Sequence, residues 1–172
     1  MTDFTTGDMA GFASMAVIAY IEAAENIPAM LDTSQRIELG KTALQMYASF
    51  NPHCTMCPAE LVLEDPIHGA ELLQDFTTDM FHLVDGLTTT QHFTESAFRE
   101  MFKEVHLTSL MVDASDSVGL AAATLGAVYA YASPLFDVDP LEFLTTGRLG
   151  FEHEAERERV KRIVSERRAD LP

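Results

Sequence analysis

Apolar residues recur at three- and four-residue intervals through most of the chain, and no window alternates convincingly with a period of two. The pattern therefore predicts an all-α protein. A first helix is expected from about Thr6–Asp8 to Asn26, because Ile27 precedes Pro28 and a residue before proline avoids the helical region. Its apolar content (Phe12, Met15, Val17, Ile18, Tyr20, Ile21) predicts that it is mostly buried. Asp32, Thr33 and Ser34 offer N-caps to a second helix ending near Phe50, with Glu38, Thr42, Gln45 and Ser49 forming its polar face. Asn51-Pro52 breaks the chain, and a short helical piece is expected from Pro58 to Glu64.

Asp65-Pro66 restarts the helix as N-cap and first helical residue. Gly69, Leu73, Phe76, Met80, Leu83 and Leu87 then form a seam in a helix reaching about Asp85. Gly86 and the Thr88–Thr90 run mark its end. A further helix is expected over roughly Gln91–Met111, with Phe98, Met101, Phe102 and Val105 apolar. The Asp113–Asp116 turn caps an Ala-rich helix over about 117–134, in which Ala122, Gly126 and Ala130 fall four apart. Small residues at that spacing let neighbouring helices approach closely. Asp139-Pro140-Leu141-Glu142 is the strongest local start signal, combining an N-cap, a proline at the first position and an early acid. It predicts a short helix to about Gly147, followed by a separate charged helix from Phe151 to Arg168. The expected architecture is a single-domain bundle of six or seven helices around the Ala-rich one. Residues 1–147 form its acidic body, and residues 148–172 form a charged C-terminal helix packed on that body or on a partner.

The 172-residue chain is 47% apolar, which suits a globular domain with its own core and argues against disorder. A formal charge of −16 disfavours nucleic-acid and anionic-membrane partners. The N-terminal residues carry no basic segment of the kind that opens a signal peptide. Val118–Phe136 is uncharged, but it is rich in Ala and Gly and flanked by Asp116 and Asp137. It reads as a buried helix of a cytoplasmic protein rather than a membrane span.

Three constellations could carry chemistry. Cys54 and Cys57 stand three apart before Pro58, a spacing suited to a thiol redox pair. With His53 or His68 they also offer ligands for zinc. The all-helical alkylhydroperoxidase-type families place such a pair at a helix start with a His four residues beyond. Leu61 occupies that position here. No second Cys pair completes a structural zinc set, so two packed cysteines are the plainer reading.

Asp65-x2-His68-x2-Glu71 and Asp79-x2-His82-x2-Asp85 set each imidazole between two carboxylates on one helix face, a geometry suited to a metal or an oriented base. His92 has Glu95 three further on. A di-iron bundle requires Glu-x-x-His, which this chain lacks, and Asp79-x-x-His82 is the nearest match. His68 and His82 are ~21 Å apart along a helix, too far to share an ion. Both lie opposite the apolar seam, where a solvated acidic face is expected. Glu22, within the apolar first helix, would need a partner if buried. Lastly, Arg99 and His106 resemble the motif of the helical HEPN ribonucleases, whose Arg and His work on RNA. An Arg99–Glu95 pair across one turn explains the same arginine more simply. No Gly-rich phosphate loop, nucleophile elbow or dinucleotide fingerprint occurs.

Charge is distributed unevenly. The first 147 residues hold four basic and 21 acidic residues, whereas the remainder holds seven basic and six acidic. In the last helix Glu152, Glu154, Glu156 and Glu158 lead, and the basic residues trail, which complements the helix dipole. Arg157, Arg159, Lys161 and Arg162 are the candidate partner-binding residues. The sequence thus predicts a non-catalytic acidic helical protein that acts through protein–protein or self-association contacts, of a regulatory or inhibitor/immunity type. Its expected partner is a protein, basic in character or a second copy. It requires no cofactor. The alternatives are a metal- or thiol-dependent enzyme or sensor using Cys54, Cys57 or the His/carboxylate clusters, with a divalent metal bound, and a small-molecule binder with a Met/Phe-lined pocket.

Overall fold

A computed structural model describes residues 5–25, 32–50, 64–87, 100, 102 and 117–169. Among them the protein is all-α, with five helices: α1 (Thr6–Ala24), α2 (Thr33–Phe50), α3 (Pro66–Leu87), α4 (Ser117–Phe136) and α5 (Pro140–Ala169). The expected helix over 91–111 falls outside the described residues except at Glu100 and Phe102, which are both helical. The short piece over 58–64, apart from helical Glu64, and the Asp113–Asp116 turn also lie outside them.

Helix starts follow the capping residues. Thr5 and Asp8 form a reciprocal capping box on α1. Asp32 caps α2 in the same way, its Oδ1 accepting from the Gln35 N–H while its own N–H donates to Gln35 Oε1. Asp65 Oδ1 accepts from Ile67 N–H, and Asp139 Oδ1 accepts from both Leu141 and Glu142 N–H groups. The end of α4 is equally local. Pro134 sits in its last turn and Asp137 adopts φ 53°, the left-handed conformation that commonly stops a helix.

Helices α1 and α4 each pack against α2 and α3, and α5 lies along α3. Close approach depends on small residues. At Gly40 of α2 any Cβ would meet the backbone carbonyl of Ala127, so α2 and α4 touch backbone to backbone. One turn earlier the buried Arg36 reaches across and donates to the Gly126 carbonyl at 3.2 Å. Along α4, Gly119, the run from Ala121 to Tyr129, Ala132 and Phe136 are buried. This helix is long and apolar enough to cross a membrane by composition, and most of it is enclosed by its neighbours.

Three expectations change. The buried face of α1 is made by Ala13, Ala16, Ala19 and Tyr20, while Phe12, Val17 and Ile21 are half-buried and Ile18 is exposed. Alanines let α2 and α3 come close, which pushes the larger residues to the sides. On α3 the seam is wider than expected. Every residue from Phe76 to His82 is buried, because α1, α4 and α5 surround that stretch, whereas Leu87 at the end is exposed. Finally, the two predicted C-terminal helices are one continuous helix of 30 residues. Gly147 and Gly150 do not break it. A Cβ on Gly147 would lie 2.5 Å from Thr77 Cγ2, and one on Gly150 would lie 2.7 Å from Thr78 Oγ1. These glycines are the flat surface on which α5 meets α3.

Candidate functional site

The stretch Thr77–His82 carries four polar side chains into the interior, and each finds a partner on a different part of the bundle. Thr77 Oγ1 donates to the Leu73 carbonyl and accepts from the Tyr129 hydroxyl of α4, both at 2.7 Å. Thr78 Oγ1 donates to the Gly147 carbonyl of α5 at 3.2 Å. Tyr47 of α2 donates to Asp79 Oδ2 at 2.7 Å. His82 Nε2 donates to Glu154 Oε2 of α5 at 2.8 Å, and its ring meets Phe151 edge-on at 4.8 Å. One enclosed stretch of α3 therefore ties α2, α4 and α5 together by buried hydrogen bonds, which are specific because an unmade one is costly.

Burial dominates the electrostatics. Asp79 is only 7% exposed, and removal from water pushes its pKa up to about 8, aided by the negative charges of Asp75 and Glu154. The Tyr47 hydrogen bond works in the opposite direction and is outweighed. The Asp79 carboxyl is thus largely protonated at neutral pH. Burial likewise raises the Tyr129 hydroxyl and lowers the Arg36 guanidinium.

The His82 side chain, 3% exposed, lies at the floor of a groove of about 640 Å³ formed where the first turns of α1, the end of α3 and the middle of α5 meet. Asp85, Phe151, Glu158, Arg159, Lys161 and Arg162 contribute to its walls, and Asp79 does not. A second groove, of about 470 Å³, runs between Lys41, Glu64 and Tyr131. Among the described residues neither is lined by methionine, and Phe151 and Phe136 are the phenylalanines that line them.

The structure sorts the sequence candidates as follows. Asp79 and His82 are brought inside the bundle, which overturns the expectation of a solvated acidic face at His82. That face holds only for His68, which is exposed and paired with Asp65 at 2.8 Å. The hydrogen bond between them raises the pKa of His68 and lowers that of Asp65. Glu22 faces solvent. His53, Cys54 and Cys57 lie outside the described residues, as do His92, Arg99 and His106. Among the described residues no three His, Cys, Asp or Glu side chains are grouped to hold a metal ion. Sequence reading missed Tyr47, Tyr129 and Glu154 as partners. Its one usable signal was Thr77-Thr78-Asp79, a polar run interrupting an apolar seam.

Helix α5 has a second notable surface. Its inner face is fixed by Leu144, Gly147, Phe151, Ala155 and Glu158. At 3.6 residues per turn, Leu149, Val160, Ile163 and Val164 fall on the opposite side. They are exposed by 52%, 49%, 38% and 44% respectively. Around them Glu152, Glu156, Arg157 and Lys161 are exposed as well, with Arg148–Glu152 paired at 2.8 Å and Arg159–Glu156 at 3.5 Å. Of the candidate partner-binding residues, Arg159 and Arg162 border the His82 groove, Arg157 borders the outer face, and Lys161 borders both. Comparisons with known protein families, with curated proteins and with solved structures give no match.

Proposed function

We propose that this protein works by association rather than catalysis, as a cytoplasmic, acidic helical bundle whose α5 presents the contact surface to a protein partner. The carrying observation is the outer face of α5, where four aliphatic residues are exposed: Leu149 opposite the part of the helix packed on α3, and Val160, Ile163 and Val164 on its following turns, which are exposed all round. Among the described residues nothing covers this aliphatic row at helical spacing, and rows of this kind mark protein contacts. The interior polar network supports the same reading. Asp79, Tyr47, Thr77 and Tyr129 are engaged with one another's helices, and His82 lines the groove beside α5. Thr77 and Asp79 tie α3 to α4 and α2, and Thr78 and His82 hold α5 on α3. In this proposal the bundle has six or seven helices, with the Ala-rich α4 at its centre.

A photo-crosslinking residue at Val164, tested in the native cytoplasm, examines the proposal directly. The expected result is a discrete adduct of one mass, with nothing comparable from the same residue at exposed Glu71 on α3. Adducts equal in amount and pattern at both positions would overturn the association reading.

A further inference from the structure

Resting on that association reading, we infer that the occupant of the outer face of α5 is the α5 of a second copy of this chain, laid antiparallel across the first. The charge order carries the argument. Glu152, Glu154 and Glu156 are mirrored by Lys161, Arg159 and Arg157 about the midpoint between Glu156 and Arg157, while Glu158 on the inner face and Arg162 beside the His82 groove fall outside this pattern. Glu154 is turned inward to His82. On and beside the outer face this leaves Glu152, Glu156, Arg157 and Lys161.

An antiparallel copy centred at that midpoint sets Glu152 beside Lys161 and Glu156 beside Arg157, each contact occurring twice by symmetry. A parallel copy in register sets each charge beside its own kind, which is repulsive. The same antiparallel register brings Leu149 against Val164 and His153 against Val160, so the aliphatic ends cover one another. Leu149, His153, Glu156, Val160 and Ile163 alternate steps of four and three, the spacing with which one helix seats on another.

Long-range charge points to the same place. Two bodies that each carry 21 acids against four bases repel, while the segment from Arg148 onward is nearly neutral. Copies of this chain meet with least repulsion along α5. The existing Arg159–Glu156 contact is an exposed pair within one helix, worth little in water, and the exposed Glu152 meets a half-buried Arg148, so exchanging these contacts for ones between copies costs little at Glu156.

Sedimentation of the full chain over a concentration series tests this. The expected mass moves from 19.0 kDa towards twice that value, and less so as salt is raised or in the V160E variant. V160E changes an exposed residue, and an unaltered circular dichroism spectrum shows that its fold is kept. Orientation is read with single cysteines in a chain carrying Cys54→Ser and Cys57→Ser. Glu156→Cys cross-links to itself. Leu149→Cys and Val164→Cys each fail alone, since in the antiparallel pair the two copies of either residue lie ~22 Å apart, yet they cross-link when mixed. A single-chain mass at every concentration overturns the inference, as does cross-linking of Leu149→Cys with itself. If the chain stays single while the Val164 probe still yields an adduct of another mass, the second-copy inference falls and the association reading stands. Blank results in both experiments remove both.

Discussion

Replacing Asp79 with Asn should make the protein more stable, by an amount that grows with pH. The side chains are nearly the same shape, and Asn still offers an oxygen to the Tyr47 hydroxyl that now donates at 2.7 Å. What the substitution removes is a titrating proton. In the unfolded chain Asp ionises near pH 4. In the folded protein burial, with Asp75 and Glu154 adding to it, holds the Asp79 pKa at about 8. Between those values the native chain keeps a proton that the unfolded chain has released. The Asp79 contribution to stability is therefore greatest below about pH 4 and falls by about 1.4 kcal/mol per pH unit until the native carboxyl ionises too.

Asn has no such slope. The difference between D79N and the parent should widen by about 3 kcal/mol from pH 5 to pH 7, which is two units of that slope. Urea unfolding followed by circular dichroism at pH 5, 6 and 7 measures it, with equal urea dependence in both proteins as the check on two-state behaviour. Contributions from groups common to both proteins cancel in the difference. A gap that stays constant from pH 5 to 7 would refute the argument that burial dominates at Asp79. A gap that is flat from pH 5 to 7 but shrinks as pH rises from about 3 to 5 would show that the Tyr47 hydrogen bond wins instead.

Other substitutions address the remaining contacts. Gly40→Val drives a branched side chain into the Ala127 carbonyl, and neither backbone can retreat without separating α2 from α4. It should cost about 3 kcal/mol or fail to fold, which thermal unfolding would reveal. His82→Leu keeps the bulk against Phe151 but strands Glu154, whereas Glu154→Gln keeps an acceptor for the imidazole N–H. The first should lose about 1–3 kcal/mol in urea and the second clearly less. Equal losses would mean that the hydrogen bond is not what joins α5 to α3. Asp139→Ala removes the acceptor for two N–H groups at the start of α5 and should lower stability by about 1 kcal/mol, again by urea titration.

Much of the fold was legible because its signals are local. Asp32, Asp65 and Asp139 declare helix starts through the reach of their own side chains to N–H groups two or three residues on. The polar face of α2 follows from spacing, with Glu38, Thr42 and Ser49 exposed as expected. The candidate site was less legible, because burial is a property of neighbours. Asp79 and His82 look like half of an acidic face when read along one helix. Only the arrival of Tyr47 and Glu154, 32 and 72 residues away in sequence, makes them interior cross-links. Gly147 and Gly150 misled for a related reason. Glycine lowers intrinsic helix propensity, so two of them suggested a break, yet their lack of a Cβ is what lets α5 lie against Thr77 and Thr78.

By itself the sequence determined the helical class, most helix starts, the acidic body and the acid-first, base-last charge order of the last helix. These depend on periodicity, capping and composition, which act over a few residues or over the chain as a whole. Tertiary structure decided which acids lose their water, which small residues become contacts rather than breaks, and which side of α5 is left outward. Those outcomes turn on which surfaces meet, and a linear chain does not specify that until its helices are packed.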